Sequence, residues 1–322
     1  MRFIGSSHRH PGLRGAVVVA LVVAGIAAPS GWAAPSKIAP ALQIVATLPD
    51  LAALVQAVGG PHVHVTALAA PNQDPHYVDP RPSLMLPLSR AHLLVVNGLQ
   101  LEQGWLPPLI RGSRNSRIQP GTTGHLDASF FVQRLQVSTA PLSRAMGDVH
   151  PGGNPHFVCD PRASARVAKA IGERLAQLDP AHAAAYLAQT TAFVAQLTAI
   201  AKAQRSRFAK LPVPRRRIVS YHRSLPYLLD WLGLQEVATV EPRPGIPPSP
   251  AHTATVLTTM RQLGVTVLVQ EEFYPRRVSQ TLAKLVKGAV VVLPGGARFD
   301  RGETYVARLQ RTTAALYAAL GG

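Results

Sequence analysis

The sequence predicts an α/β protein of two (β/α) lobes, each built on a mostly parallel sheet, joined by one long rigid helix. Short apolar runs alternate with helix-periodic segments over residues 42–96 and again over 217–320, the rhythm of strands linked by helical crossovers. The connections are long enough for parallel pairing. A segment ending near Lys210 contains no glycine or proline after Pro180, so it predicts one helix of about 30 residues, or roughly 45 Å.

In chain order, Arg2, Arg9 and Arg14 form a basic start, residues 16–28 are small and apolar, and Pro29, Ser30 and Gly31 break the run before Ala33 and Ala34. This is the layout of a secretory signal peptide over residues 1–34, too short in its apolar part for a spanning helix. No later stretch is long and apolar enough to span a membrane. Residues 35–179 form the expected N-terminal lobe. Strands are expected at 42–48, 62–68 and 93–96, with a helix at 51–58 stopped by Gly59-Gly60-Pro61 and a proline-containing loop over 69–82. Helical spacing recurs over 162–178, and Asp179-Pro180 supplies an N-cap and an N1 proline for the linking helix, 180–211. The C-terminal lobe, 212–322, resumes alternation with strands at 217–221, 265–269 and 289–293. Helices are expected at 225–232, 278–286 and 304–320, with a rigid proline-rich loop over 242–250.

The formal charge of the 322-residue chain is +17, and loss of the three signal arginines lowers it to +14. The positive residues are scattered. The densest run, Arg215-Arg216-Arg217, precedes an apolar strand and lacks the interleaved aromatics of a base-stacking platform. The sequence therefore points away from nucleic acid. The one cysteine, Cys159, cannot form an internal disulfide and lies far from the signal segment, which favours a freely diffusing protein over a lipid-tethered one. It reads as a small buried filler rather than a thiolate ligand.

Three of the twelve histidines share a setting, in a loop after a strand or at a strand's end. His76 lies in Asp74-Pro75-His76-Tyr77-Val78-Asp79-Pro80, His156 in Asn154-Pro155-His156-Phe157-Val158-Cys159-Asp160-Pro161, and His222 directly after Tyr221. Open α/β sheets bind ligands beyond the carboxyl ends of their strands. The near-repeat of Pro-His-aromatic-x-x-Asp-Pro, one residue shorter around His76, presents each imidazole from a stiff loop. Its aspartate is placed to cap the next helix or to orient the imidazole. Three neutral imidazoles suit zinc, copper, nickel or ferrous iron. For a fourth ligand the sequence offers Glu303, Asp300, Glu272 or water. His150 lies close enough to shape or line the loop, whereas His62 and His64 read as a solvated strand face, and His125, His182 and His252 as surface or helix-start residues.

Further motifs accompany these histidines: Asp79-Pro80-Arg81-Pro82-Ser83, Leu88-Ser89-Arg90-Ala91, Val96-Asn97-Gly98-Leu99-Gln100-Leu101-Glu102 and Trp105, then Ser220-Tyr221-His222-Arg223-Ser224-Leu225-Pro226-Tyr227-Leu228, the 241–250 segment and Gly302-Glu303-Thr304-Tyr305. In this order they resemble the cluster A-I solute-binding proteins of zinc and manganese ABC importers, over essentially the whole mature chain. The resemblance implies a two-lobed fold with metal held by His76, His156, His222 and Glu303. A histidine at the third position goes with the zinc branch. It further implies a periplasmic monomer that delivers Zn(II) to the importer's permease in the inner membrane, with no catalytic role. The chain departs from the family pattern at three places. Glu303 stands where an aspartate is usual, and Val158-Cys159 replaces a bulkier pair. The long His- and acid-rich loop of many zinc members is missing. Alternative expectations are the same role for manganese or iron, a metal-dependent adhesin, or a zinc hydrolase, the last without a His-Glu-x-x-His motif or clear general base. The rigid link predicts local loop rearrangement on metal capture rather than wide opening.

Overall fold

The computed structural model describes residues 41–137 and 150–322; the expected signal segment lies outside them. The first sheet contains Leu42–Ala46 (β1), Val63–Ala67 (β2), Leu93–Val96 (β3) and His125–Asp127 (β4), in the order β2-β1-β3-β4 and wholly parallel. The second contains Arg217–Ser220 (β5), Gln235–Thr239 (β6), Val267–Glu271 (β7) and Ala289–Leu293 (β8), in the equivalent order β6-β5-β7-β8 and likewise parallel. Strands covered on both faces read as continuous apolar runs, and every residue of β3 and β7 is buried. In each sheet the first strand sits between the second and third. The chain therefore turns to opposite sides at the carboxyl ends of β1 and β5, which opens a crevice there.

Helices fill the crossovers. Pro49–Gly59 (α1) begins with proline in its first turn and ends where Gly60 takes a φ of 55°. Met85–Arg90 (α2) and Leu106–Ser113 (α3) flank β3. Pro161–Leu178 (α4) starts from Asp160, whose Oδ1 accepts the Arg162 amide at 2.8 Å, as the Asp-Pro pair predicts. Pro226–Leu232 (α6), Pro250–Leu263 (α7), Arg277–Leu285 (α8) and Tyr305–Ala319 (α9) complete the second half.

The long helix is Ala183–Phe208 (α5), entered through a 3₁₀ turn at Pro180–His182. It is not a free-standing strut. Gly172 of α4 lets Thr190 approach so closely that a Cβ at Gly172 would collide with the Thr190 hydroxyl. Further along, Phe193 meets the edge of Tyr305 at 6.4 Å, and the Trp231 indole donates to the Ala201 carbonyl at 3.1 Å. The rigidity of α5 thus comes from packing against α4 on one side and against α6 and α9 on the other.

One hydrophobic core runs from the first sheet through α4 and α5 to one face of the second sheet. A smaller core, with Val219, Val256, Met260 and Leu282, lies between that sheet and α7 and α8. Polar ties cross between the halves. The Tyr305 hydroxyl bonds the Val158 carbonyl and the Ser164 hydroxyl, each at 2.8 Å. The Tyr227 hydroxyl donates to the Asn154 carbonyl at 3.0 Å and accepts the Leu135 amide at 3.0 Å. Asp50 accepts the Ala297 amide at 2.9 Å and lies 3.0 Å from Arg308 Nε.

The structure adds elements that periodicity does not predict. β4 has only three residues. β6, Gln-Glu-Val-Ala-Thr, is an edge strand without a buried residue, so it carries no apolar run. α3 opens on two prolines, and α7 is threonine-rich and follows a proline-rich loop. His62 belongs to a 3₁₀ turn and not to the strand, which starts at Val63. No described helix is long and apolar enough to cross a membrane.

Candidate metal centre

The loops after β2 and before α4 carry His76 and His156 by the same local device. In each, the side chain two residues upstream accepts the histidine's own amide: Asp74 Oδ1 for His76 and Asn154 Oδ1 for His156, both at 3.0 Å. The intervening prolines, Pro75 and Pro155, are also held. Trp105 Nε1 donates to the Pro75 carbonyl at 2.9 Å, and Asn97 Nδ2 donates to the Pro155 carbonyl at 3.0 Å. Both donors come from the segment after β3. Within it, Gly98, Leu99 and Gln100 all have positive φ. The buried Glu102 carboxylate braces this turn, accepting the Thr47 hydroxyl and the Asn97 amide at 2.6 Å each and the Gly98 amide at 3.1 Å. Burial pushes the Glu102 pKa up to about 7 against these hydrogen bonds. The Asn97–Trp105 motif therefore acts as a jig for both histidine loops.

His222 lies two residues beyond Ser220, the last residue of β5, one of the two inner strands of the second sheet. Its Nδ1 lies 2.7 Å from Glu241 Oε2, in the loop after β6. The same oxygen accepts the Gly245 amide at 3.2 Å. The proline-rich loop thus holds a carboxylate behind the imidazole.

The structure brings His76, His156 and His222 together: one ligating atom from each lies within 4.8 Å of the others. Ring centroids are 5.1 to 5.5 Å apart, with ring planes inclined by 60°, 74° and 87°. His76 Nδ1 lies 2.7 Å from Asp74 Oδ1. A carboxylate accepts, so Nδ1–H of His76 and of His222 donates, and each Nε2 keeps a lone pair. A carboxylate behind a ligating imidazole fixes its tautomer and raises its basicity.

The electrostatics follow from burial and charge. Burial, then the charges of His76, His222 and His150, hold His156 well below the ordinary imidazole range. Burial also opposes charge on His222, but the Glu241 bond and the charges of Glu241, Glu271 and Asp74 outweigh it and raise its pKa. Burial would raise Asp74, yet the hydrogen bond and charge of His76 bring it below the usual carboxylate value. A cation at the three imidazoles would meet negative charge behind two of them.

Glu303 is not part of this cluster. Its carboxylate is engaged by Arg311, with Nε at 3.0 Å and Nη2 at 2.7 Å, and by the Arg298 amide at 2.6 Å. Asp300 is exposed in a 3₁₀ turn. Glu272 faces Arg298 at 3.8 Å and accepts the Gly295 amide at 3.4 Å. The neighbouring Glu271 is buried at the end of β7. Its Oε1 accepts the Ser224 hydroxyl and its Oε2 has no partner. It lines the inter-lobe cavity with His156, and burial raises its pKa.

The remaining candidates fall elsewhere. The buried Cys159 donates to the His156 carbonyl at 3.1 Å, and burial lifts its thiol to about 12, so it packs as a neutral group. His62 stacks on His182 at 4.0 Å, and the His64 side chain is exposed. His252 Nε2 donates to the Thr239 carbonyl at 3.0 Å. Asp79, one of the two repeat aspartates, neither caps a helix nor touches an imidazole; it faces Arg81 at 3.7 Å on the surface. Asp74 and Glu241 orient the imidazoles instead. The Asp-x-His spacing signals the first, whereas only the fold brings Glu241 to His222.

Three imidazoles converging between two parallel sheets could hold a metal ion. The family described as "ZnuA: Zinc-uptake complex component A periplasmic" matches residues 44–319, and the chain belongs to that family. A "Putative metal-binding protein" of Treponema pallidum is 25% identical over 285 residues, covering 86% of this chain and 87% of the relative. The "Manganese ABC transporter substrate-binding lipoprotein PsaA" of Streptococcus pneumoniae is 23% identical, covering 84% of each. The crystal structure of a zinc-bound ZnuA lacking its residues 138–173 superposes with a TM-score of 0.74 at 24% identity, covering 88% of this chain and 99% of that one. The chain is a metal-binding substrate-binding protein of an ABC transporter, and not an enzyme.

Proposed function

We propose that this protein captures Zn(II) in the periplasm with His76, His156 and His222 and delivers it, as a monomer, to the permease of an ABC-type importer. The observation that carries the reading is the convergence of three imidazoles, two with Nδ1 committed to a carboxylate and Nε2 left as a donor. Nitrogen ligands disfavour manganese relative to zinc. Residues 35–179 and 212–322 serve as the capturing lobes, and 180–211 fixes their spacing. The periplasmic placement draws on the basic and apolar start of the chain.

Because α5 and the polar ties hold the halves together, capture needs only small shifts of the histidine loops. Metal exchange then alters the crevice rim that faces the permease. Titration of apoprotein tests the function: one zinc ion per chain is expected, bound orders of magnitude more tightly than Mn(II). Manganese binding as tight as zinc binding would overturn the choice of metal. Absence of binding to either ion would overturn the function.

A further inference from the structure

His150 faces His76 at the ring nitrogen opposite the one that Asp74 holds. Its Nε2 lies 3.3 Å from His76 Nε2, and the two ring centroids are 5.4 Å apart. It also lines a crevice shared with His156 and His222. Because Asp74 takes the Nδ1 proton of His76, the atom that His150 faces is the lone pair available for metal. With its proton on Nε2, His150 is placed to donate to that lone pair.

The same distance suits joint coordination. With Zn–N bonds of about 2.0–2.1 Å, the edge of a tetrahedron of nitrogens is about 3.4 Å. The chain presents His150 from a short turn: its carbonyl accepts the Gly153 amide at 3.1 Å, and Gly153 has a φ of 118°. The next residue, Asn154, is anchored to Leu135, Arg223 and Tyr227. His150 and His156 therefore stand on either side of one pinned turn.

The carboxylates near the site are less well placed. Glu303 is held by Arg311, Glu241 supports His222 and Asp74 supports His76. Glu271 alone has an unpartnered oxygen, but neither it nor His150 joins the three imidazoles within 4.8 Å of one another; what favours His150 is its nitrogen 3.3 Å from that of His76, from which a small shift of its turn would complete the set.

We propose that His150 is the fourth metal donor, so that four imidazole nitrogens, from His76, His150, His156 and His222, enclose the ion. The inference rests on the proposed metal-binding role of the other three. Coordination through Nε2 requires the His150 proton to sit on Nδ1. Solvent can carry that exchange at the crevice, and a neutral imidazole undergoes it without net proton release. His150 then has two states: it covers the lone pair of His76 when metal is absent, and it closes the tetrahedron when metal is present. A four-nitrogen set also accounts for metal selection without a ligating carboxylate, through its mismatch with oxygen-preferring ions such as Mn(II).

Co(II) titration of wild-type protein, His150→Gln and Glu271→Gln tests this, alongside zinc affinity by competition with a chelator. Four-coordinate Co(II) absorbs several-fold more strongly in the visible than five- or six-coordinate Co(II). The wild-type protein should give the intense spectrum. His150→Gln, with water or the amide in place of the imidazole, should shift the Co(II) bands and bind zinc roughly 10- to 100-fold more weakly, with unchanged far-UV circular dichroism, while Glu271→Gln keeps the wild-type spectrum. Wild-type spectrum and zinc affinity in His150→Gln would overturn the assignment while leaving the three-histidine reading intact. Loss of the intense spectrum only in Glu271→Gln would transfer the fourth position to that carboxylate. A wild-type protein that binds neither ion would overturn both proposals.

Discussion

His222→Ala should bind zinc at least about 100-fold more weakly than wild type. A four-ligand zinc site contributes roughly 10–16 kcal/mol, so one ligand accounts for about 3 kcal/mol, or about two decades in affinity. His222 is the only one of the three contributed by the second sheet, so its loss also removes the metal's link between the halves. Glu241→Gln should show a smaller defect, about 10-fold or more, because it changes how the imidazole is oriented and not whether it is present. Competition with a chromophoric chelator reads both variants. The ordering matters as much as the magnitude: a Glu241→Gln defect larger than that of His222→Ala would mean that the carboxylate, not the imidazole, holds the ion.

Arg308→Ala should destabilise the fold by about 3–5 kcal/mol, the cost of breaking a buried ion pair from one side. For a chain of this size that lowers Tm by about 10 °C. Asp50 on α1 and Arg308 on α9 are 2% and 7% exposed and sit between the two halves. Without Arg308, Asp50 keeps only the Ala297 amide. Burial already raises the Asp50 pKa, and Arg308 is the largest influence opposing that rise. In the variant the raised pKa moves further up. A carboxyl whose folded pKa is raised contributes its stability below the unfolded value of 3.8 and loses it as pH rises through the folded value. The deficit of Arg308→Ala should therefore widen as pH rises through the folded pKa of Asp50 in the wild type, which lies above 3.8, as read by thermal melts across pH. A deficit independent of pH would assign the loss to the cavity alone.

Much of this architecture is legible in the sequence because parallel strands and packed helices advertise themselves through apolar periodicity. β1, β3, β5, β7 and β8 each contain an apolar run, β2 alternates apolar and polar residues, and the lack of glycine and proline announces α5. The exceptions have physical causes. β6 is a half-exposed edge, β4 is three residues long, and α7 hides a narrow buried face, Val256 and Met260, among threonines. At the site, the Pro-His repeat makes His76 and His156 conspicuous, and the strand before His222 places it at a sheet's carboxyl edge. The partners of these histidines are less visible. Glu241 reaches His222 across two neighbouring strands, and Asn97 and Trp105 act on prolines 58 and 30 residues away. Glu303 has the spacing of a ligand, yet Arg311, two helical turns further along, claims its carboxylate. His150 gives no sequence signal beyond its proximity to His156.

The central claim is that one transition-metal ion sits among His76, His156 and His222. Anomalous diffraction at the zinc edge, on crystals of protein purified without added metal and matched by elemental analysis, tests it most directly. One strong peak is expected within about 2.1 Å of a nitrogen of each histidine. A metal peak bound elsewhere, with these three imidazoles uncoordinated, would contradict it.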